Sequence, residues 1–153
     1  MERVVISSAA VAGIARHLCS IYPREGCGVL LAKPGRVLIS EAVPVTNIAE
    51  PGVRDRYQLE PFEQAAVERK AAERNLVIAG FFHSHPDTPP KPSQIDLDAA
   101  RGLYEFAKQK YLYVIQTTFA RGVGQLACWE FNGDNFIELA WEPVPGEVER
   151  RDP

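Results

Sequence analysis

Leu76 to Phe82 (LVIAGFF) carries no polar side chain. A continuous apolar run of this length, bounded by polar segments, reads as a strand buried on both faces at the centre of a sheet. Helical patterns stand on either side. Pro61 to Asn75 (PFEQAAVERKAAERN) is dominated by Ala, Glu, Lys and Arg, with its proline suited to the first helical position. Ser93 to Lys110 is a second helix, with Ile95, Leu97, Ala99, Ala100, Leu103 and Phe106 in or near its apolar face.

The remaining elements fill in around this unit. Arg3 to Ile6 reads as a short strand, and Ser7 or Ser8 caps a helix that runs to about Ile21 and stops at Pro23. Cys27 to Ala32 is a short apolar strand, KPGR a turn, and Val37 to Val45 the returning strand of a hairpin. A polar loop, TNIAEPGVRDR, leads to an extended piece at Tyr57 to Leu59. Leu112 to Thr118 is a strand, and Gln125 to Phe131 and Phe136 to Trp141 flank the hairpin signal NGDN. The sum is an α/β fold: a mixed, largely antiparallel twisted sheet of roughly seven strands packed by about three helices, ending in an antiparallel meander. One domain is expected over residues 1–142, with a flexible tail from Pro143 to Pro153.

Charge and cysteine usage narrow the function classes. The net charge is −3 and the 17 Lys and Arg residues are spread along the chain, so no basic stripe invites nucleic acid. No stretch approaches the roughly 20 apolar residues that cross a bilayer. The N-terminal apolar run is interrupted by Arg16 and His17 and reads as an amphipathic helix rather than a leader. Three scattered cysteines, Cys19, Cys27 and Cys128, form no disulfide framework and point to a reducing, cytoplasmic setting.

The chemistry gathers just after the apolar run, in HSHPDTPPKPSQID. Residues i and i+2 of a strand share a face, so His83 and His85 aim together at the end of the strand. Pro86 biases His85 towards extended backbone. Catalytic zinc takes three protein ligands, often imidazoles with a carboxylate, and keeps one position open. The loop carries Pro86, Pro89, Pro90 and Pro92, so it has few conformations, and it delivers Ser93 and Asp96 to the start of a helix. Ser93-x-x-Asp96 is equally the pattern of a helix-capping box, with the acidic group favourable to the helix dipole.

As a whole the segment resembles the signature of the JAMM metalloproteases, also called JAB or MPN-plus domains. That signature is His-x-His-Pro, six residues, then Ser-x-x-Asp, and here His83, His85, Pro86, Ser93 and Asp96 fill it. PREGCGVLLA is similar to the family's upstream Glu and strand, which maps that Glu onto Glu25. NIAEPGVRDRYQLEPFE and IAGFFHSHP are similar to the loop and central strand of small, free-standing prokaryotic members, and the likeness spans about residues 3–142. The resemblance implies a JAB/MPN fold, cytidine-deaminase-like, with one zinc per chain held by His83, His85 and Asp96. It implies Glu25 as the base that deprotonates a zinc-activated water and Ser93 as a donor to the developing oxyanion. Spacing alone singles out none of the 20 acidic residues for that part. Asp98 faces another direction on the helix and Asp87 comes too early in the loop to match. A thiol nucleophile at Cys27 and a role for His17 are not expected.

The resemblance further implies a metallopeptidase or isopeptidase acting after the C-terminal Gly-Gly of a ubiquitin-like sulfur-carrier protein. The carrier tail is expected as an added strand beside the sheet, with the NIAEPGVRDRYQ loop, and Arg56 and Tyr57 in it, lining the groove. The rival from another class is a non-catalytic MPN-type interaction scaffold, which typically lacks the ligands present here. A zinc deaminase needs His-x-Glu and Pro-Cys-x-x-Cys, and neither occurs.

Overall fold

The computed structural model describes residues 3–35, 38–50 and 56–145. Strand β1 (Val4–Ser7) leads into helix α1 (Ser8–Ile21), which Ser7 caps by accepting a hydrogen bond from the Ala10 amide. Next come β2 (Cys27–Ala32), β3 (Leu38–Ile39), β4 (Glu41–Val45) and α2 (Pro61–Glu73). The second half runs β5 (Val77–Pro86), α3 (Gln94–Ala107), β6 (Leu112–Phe119), β7 (Gly122–Phe131), β8 (Phe136–Leu139) and β9 (Trp141–Val144).

Six strands form one mixed sheet in the order β4-β2-β5-β6-β7-β8, antiparallel throughout except where β5 and β6 run parallel. That parallel pair needs a crossover, and α3 supplies it. Alternation along β5 sends Phe82 into one core with Ile14 and Leu18 of α1, and Phe81 into the other with Ala71 of α2 and Ala100 of α3. A small sheet, β3-β1-β9, completes the α1 side. Among the described residues no helix is long and apolar enough to cross a membrane.

Four details depart from the sequence expectation. β5 does not stop at Phe82 but continues through both histidines to Pro86, because it finds ladder partners on both sides: Cys27 opposite His83, and Ile115 and Thr117 beside His83 and His85. The strand expected at Val37 to Val45 breaks at Ser40, its first part joining β1 and its second β2 (Val37 itself lies outside the described residues). Phe136 to Trp141 likewise splits: β9 leaves the meander at Trp141 and pairs in parallel with β1, Ile6 opposite Pro143. Pro143 and Val144 thus sit in a sheet, whereas residues 146–153 of the expected tail lie outside the described residues. Finally, α3 ends at Ala107, with Lys108 in the left-handed conformation (φ 53°) as its cap, and Phe106 is 88% exposed rather than on the apolar face.

Gly80 is where β5 meets β6 most closely. A Cβ placed there would lie 1.9 Å from the Leu112 carbonyl oxygen, a backbone atom locked in the adjacent parallel strand. Gly80→Ala is therefore expected to lose about 3 kcal/mol or more of unfolding free energy by urea denaturation. A loss below about 1 kcal/mol would show that the two strands separate easily.

Candidate active site

The alternation that buries Phe81 puts His83 and His85 on the same face of β5, the face covered by α3. Their Nε2 atoms lie 3.2 Å apart. Asp96, in the first turn of α3, reaches back to both: one carboxylate oxygen is 3.3 Å from His83 Nε2 and the other 3.1 Å from His85 Nε2. Glu25 comes from the segment before β2. Cys27 stands opposite His83, and the Ser84 amide donates to the Gly26 carbonyl at 3.1 Å, so Glu25 lies across from His85. The Gly26 amide in turn donates to the Ser84 hydroxyl at 2.8 Å. Glu25, His83 and His85 each offer an atom within 4.8 Å of the others, and all three are buried.

Glu25 and His85 open onto a cleft of about 630 Å³, lined also by Ser93, Lys91 and the Pro86–Pro89 loop. His83 and Asp96 are 1% and 8% exposed.

The protonation pattern follows from the contacts. His85 Nδ1 lies 3.0 Å from the Pro89 carbonyl, which can only accept, so Nδ1 carries the hydrogen and Nε2 of the neutral ring presents a lone pair. Burial opposes charge on His85, but in the protonated ring Nε2–H donates to Asp96, and this bond, the Pro89 carbonyl and the nearby charges of Asp96 and Glu25 outweigh burial and raise its pKa. Burial dominates at His83 and lowers its pKa despite the pull of Asp96. At Asp96 burial works the other way, yet the two histidines and the Ser93 amide hold its carboxyl well below the usual range. The site therefore pairs an ionised carboxylate with two imidazoles.

That donor set fits a zinc-type ion. For zinc–ligand bonds of 2.0–2.1 Å, tetrahedral ligand atoms are spaced by roughly 3.3 Å, and the His83, His85 and Asp96 contacts are 3.1–3.3 Å. His83 Nδ1 has no hydrogen-bond partner among the described residues, and the ring is held instead by Tyr57, stacked at 4.3 Å between centroids.

Ser93 is both cap and cleft residue. Its hydroxyl accepts from the Asp96 amide at 3.1 Å, and its own amide donates to Asp96 Oδ2 at 2.8 Å, closing a capping box. The two readings of Ser93-x-x-Asp96 are compatible. The cap uses one hydroxyl lone pair and leaves the O–H free to donate, and it fixes the carboxylate that faces the histidines.

Arg56 and Tyr57 part ways. The Arg56 side chain is exposed, but the Tyr57 ring packs on His83 rather than facing the cleft. Burial, then the Asp96 charge, raises the Tyr57 pKa, so its phenol stays neutral. Residues 51–55 of the same loop lie outside the described residues. Asp98 bonds Gln94 on the exposed side of α3, and Asp87, although it lines the cleft, accepts from the Tyr22 hydroxyl at 2.8 Å. Burial, with Glu25 and Glu63 nearby, pushes the Cys27 thiol up to about 12, which leaves it no thiolate for nucleophilic work. His17 packs edge-on to Phe82, on the other face of the sheet.

Asn47 escaped the sequence reading. Its side chain bonds the Glu25 and Arg56 carbonyls and the Ala49 and Gln58 amides. Asparagine beginning a polar loop is a turn signal, but nothing local in the sequence names these partners.

Comparison with known proteins places this geometry in a family. The chain is 33% identical over 119 residues to the desampylase of Haloferax volcanii, covering 77% of each. It is 30% identical over 97 residues to the CysO-cysteine peptidase of Mycobacterium tuberculosis, covering 63% of this chain and 65% of that one. A solution structure of a Desulfitobacterium hafniense protein, 19% identical, shares the fold with a TM-score of 0.75 over 97% of both chains. Residues 7–132, which hold Glu25, both histidines, Ser93 and Asp96, match the prokaryotic homologs of the JAB domain, and the chain belongs to that family of small JAMM-type proteins.

Proposed function

We propose that this chain is a zinc-dependent peptidase or isopeptidase that hydrolyses the amide bond after the C-terminal Gly-Gly of a ubiquitin-like sulfur-carrier protein. One observation carries the reading. Glu25, His83 and His85 converge within 4.8 Å, Asp96 contacts both imidazoles, and Glu25, His85 and Ser93 line one open cleft. Kinship to a desampylase and a CysO-cysteine peptidase supports the substrate class.

His83, His85 and Asp96 would hold the zinc. When bound, zinc lowers the pKa of water to roughly 7 and polarises a carbonyl. Glu25 takes a proton from the attacking water and returns it to the leaving nitrogen as the C–N bond breaks. The Ser93 hydroxyl donates to the carbonyl oxygen as it gains charge. The carrier tail lies as an added strand beside the sheet, with Arg56 as its flanking contact, while Tyr57 serves His83. Three free cysteines suit a cytoplasmic setting.

The test is intact-mass analysis of a Gly-Gly carrier from the same genome, extended by one residue or joined through an isopeptide to lysine. The zinc-loaded protein trims it to the Gly-Gly terminus, a chelator stops the reaction and zinc restores it. Cleavage that ignores the chelator, or none on any Gly-Gly conjugate, overturns the reading.

A further inference from the structure

Asn47 joins the proposed base to the loop that follows β4. Its Nδ2 donates to the Glu25 carbonyl at 2.8 Å and to the Arg56 carbonyl at 3.1 Å. Its Oδ1 accepts from the Ala49 and Gln58 amides, each at 2.9 Å. An amide side chain has two donor hydrogens and an oxygen with two lone pairs, so every position on Asn47 is in use. The bond to Ala49, two residues on, is an ordinary Asx turn. The bond to Glu25 spans 22 residues, and no turn requires it.

The partners share a location. Glu25 carries the carboxylate that lines the cleft. Residues 56 and 58 flank Tyr57, whose ring rests on His83. The Ile48 amide also donates to the Gln58 carbonyl at 2.8 Å, and Asn47 bridges to Leu59, so both ends of the loop are drawn to this point. We propose that Asn47 is a positioning residue that fixes the backbone beneath Glu25 and clamps Tyr57 against His83. The inference rests on the reading of Glu25 as the general base.

Asn47→Asp keeps the size and the acceptor but removes both donated bonds; Asn47→Ser removes them without adding charge. Each variant is zinc-loaded and assayed on a fluorogenic peptide with Gly-Gly before its scissile amide, with Glu25→Gln alongside. A reacting group displaced by about 1 Å can lose roughly 100-fold in rate. The expected result is kcat lower by roughly 10- to 100-fold with KM within about threefold. Zinc content stays near wild type, Tm falls by only a few degrees, and hydrogen exchange quickens in peptides spanning residues 24–26 and 56–58. Should Asn47→Asp fail to fold, Asn47→Ser is judged by the same readings. Wild-type kcat in both variants beside an inactive Glu25→Gln overturns the inference alone, as does a fall in kcat matched by equal loss of zinc. Full activity in Glu25→Gln overturns the general-base reading and takes this inference with it.

Discussion

Asp96→Ala is expected to bind zinc at least about 100-fold more weakly than the wild-type chain, more than the 10–100-fold typical of losing an outer partner of a ligand. The expectation rests on placement. One carboxylate contacts both imidazoles, at 3.1 and 3.3 Å, and those imidazoles hold it ionised despite burial. Removing it leaves two buried neutral rings and no charge to offset that of the ion. The measurement is elemental mass spectrometry after dialysis into equimolar zinc and removal of the excess.

The same substitution also opens the capping box at Ser93, so it should lower stability by about 1 kcal/mol. Asp96→Asn separates the two roles. It keeps an oxygen for the Ser93 amide, so α3 should keep its cap and its stability, yet it lacks the negative charge and should lose zinc. Equal zinc in wild type, Asp96→Ala and Asp96→Asn would reduce Asp96 to a helix cap and put the interaction-scaffold reading first.

Local signals were readable in the sequence; pairings were not. The run Leu76–Phe82 declared a central strand, and the strand period of two already put His83 and His85 on one face, which the structure shows they share with Phe81. Ser7 or Ser8 and Ser93 marked two helix starts through capping chemistry, with Ser7 the cap in the structure, and Pro61 marked a third as a first-position proline behind the Glu60 cap. Glu25 is different. Its place depends on antiparallel registry between segments as far apart as Gly26 and Ser84, 58 residues, and residue types alone made it a surface acid. Only the family resemblance singled it out. Asn47 fails to announce itself for the same reason. β9 hid behind Pro143, which reads as a strand breaker; the fold tolerates it because β9 is the edge of the order β3-β1-β9, where a missing N–H goes unnoticed. The strand ran past Phe82 on its ladder partners, although the polar trio His83, Ser84 and His85 is then buried where apolar residues would be the rule. A site overrides the local pattern there.

Two acids compete to be the third ligand, and Glu25→Gln decides between them. Glu25 offers an oxygen within 4.8 Å of the histidine nitrogens, so by proximity alone it also qualifies as a ligand. Asp96 contacts both imidazoles at a zinc-like 3.1–3.3 Å, and its carboxylate is held in place by the Ser93 cap, which favours it as the ligand and leaves Glu25 as the base. The glutamine keeps the shape and a hydrogen-bonding oxygen but cannot carry the proton. Glu25→Gln is thus expected to retain one zinc per chain and to lose kcat by roughly 100- to 10,000-fold, the usual worth of a positioned general base. KM should change little, because the lost interaction belongs to proton transfer rather than to tail binding. Loss of zinc in Glu25→Gln together with full zinc in Asp96→Asn would exchange the two roles. Zinc kept and kcat unchanged would move proton transfer to another group.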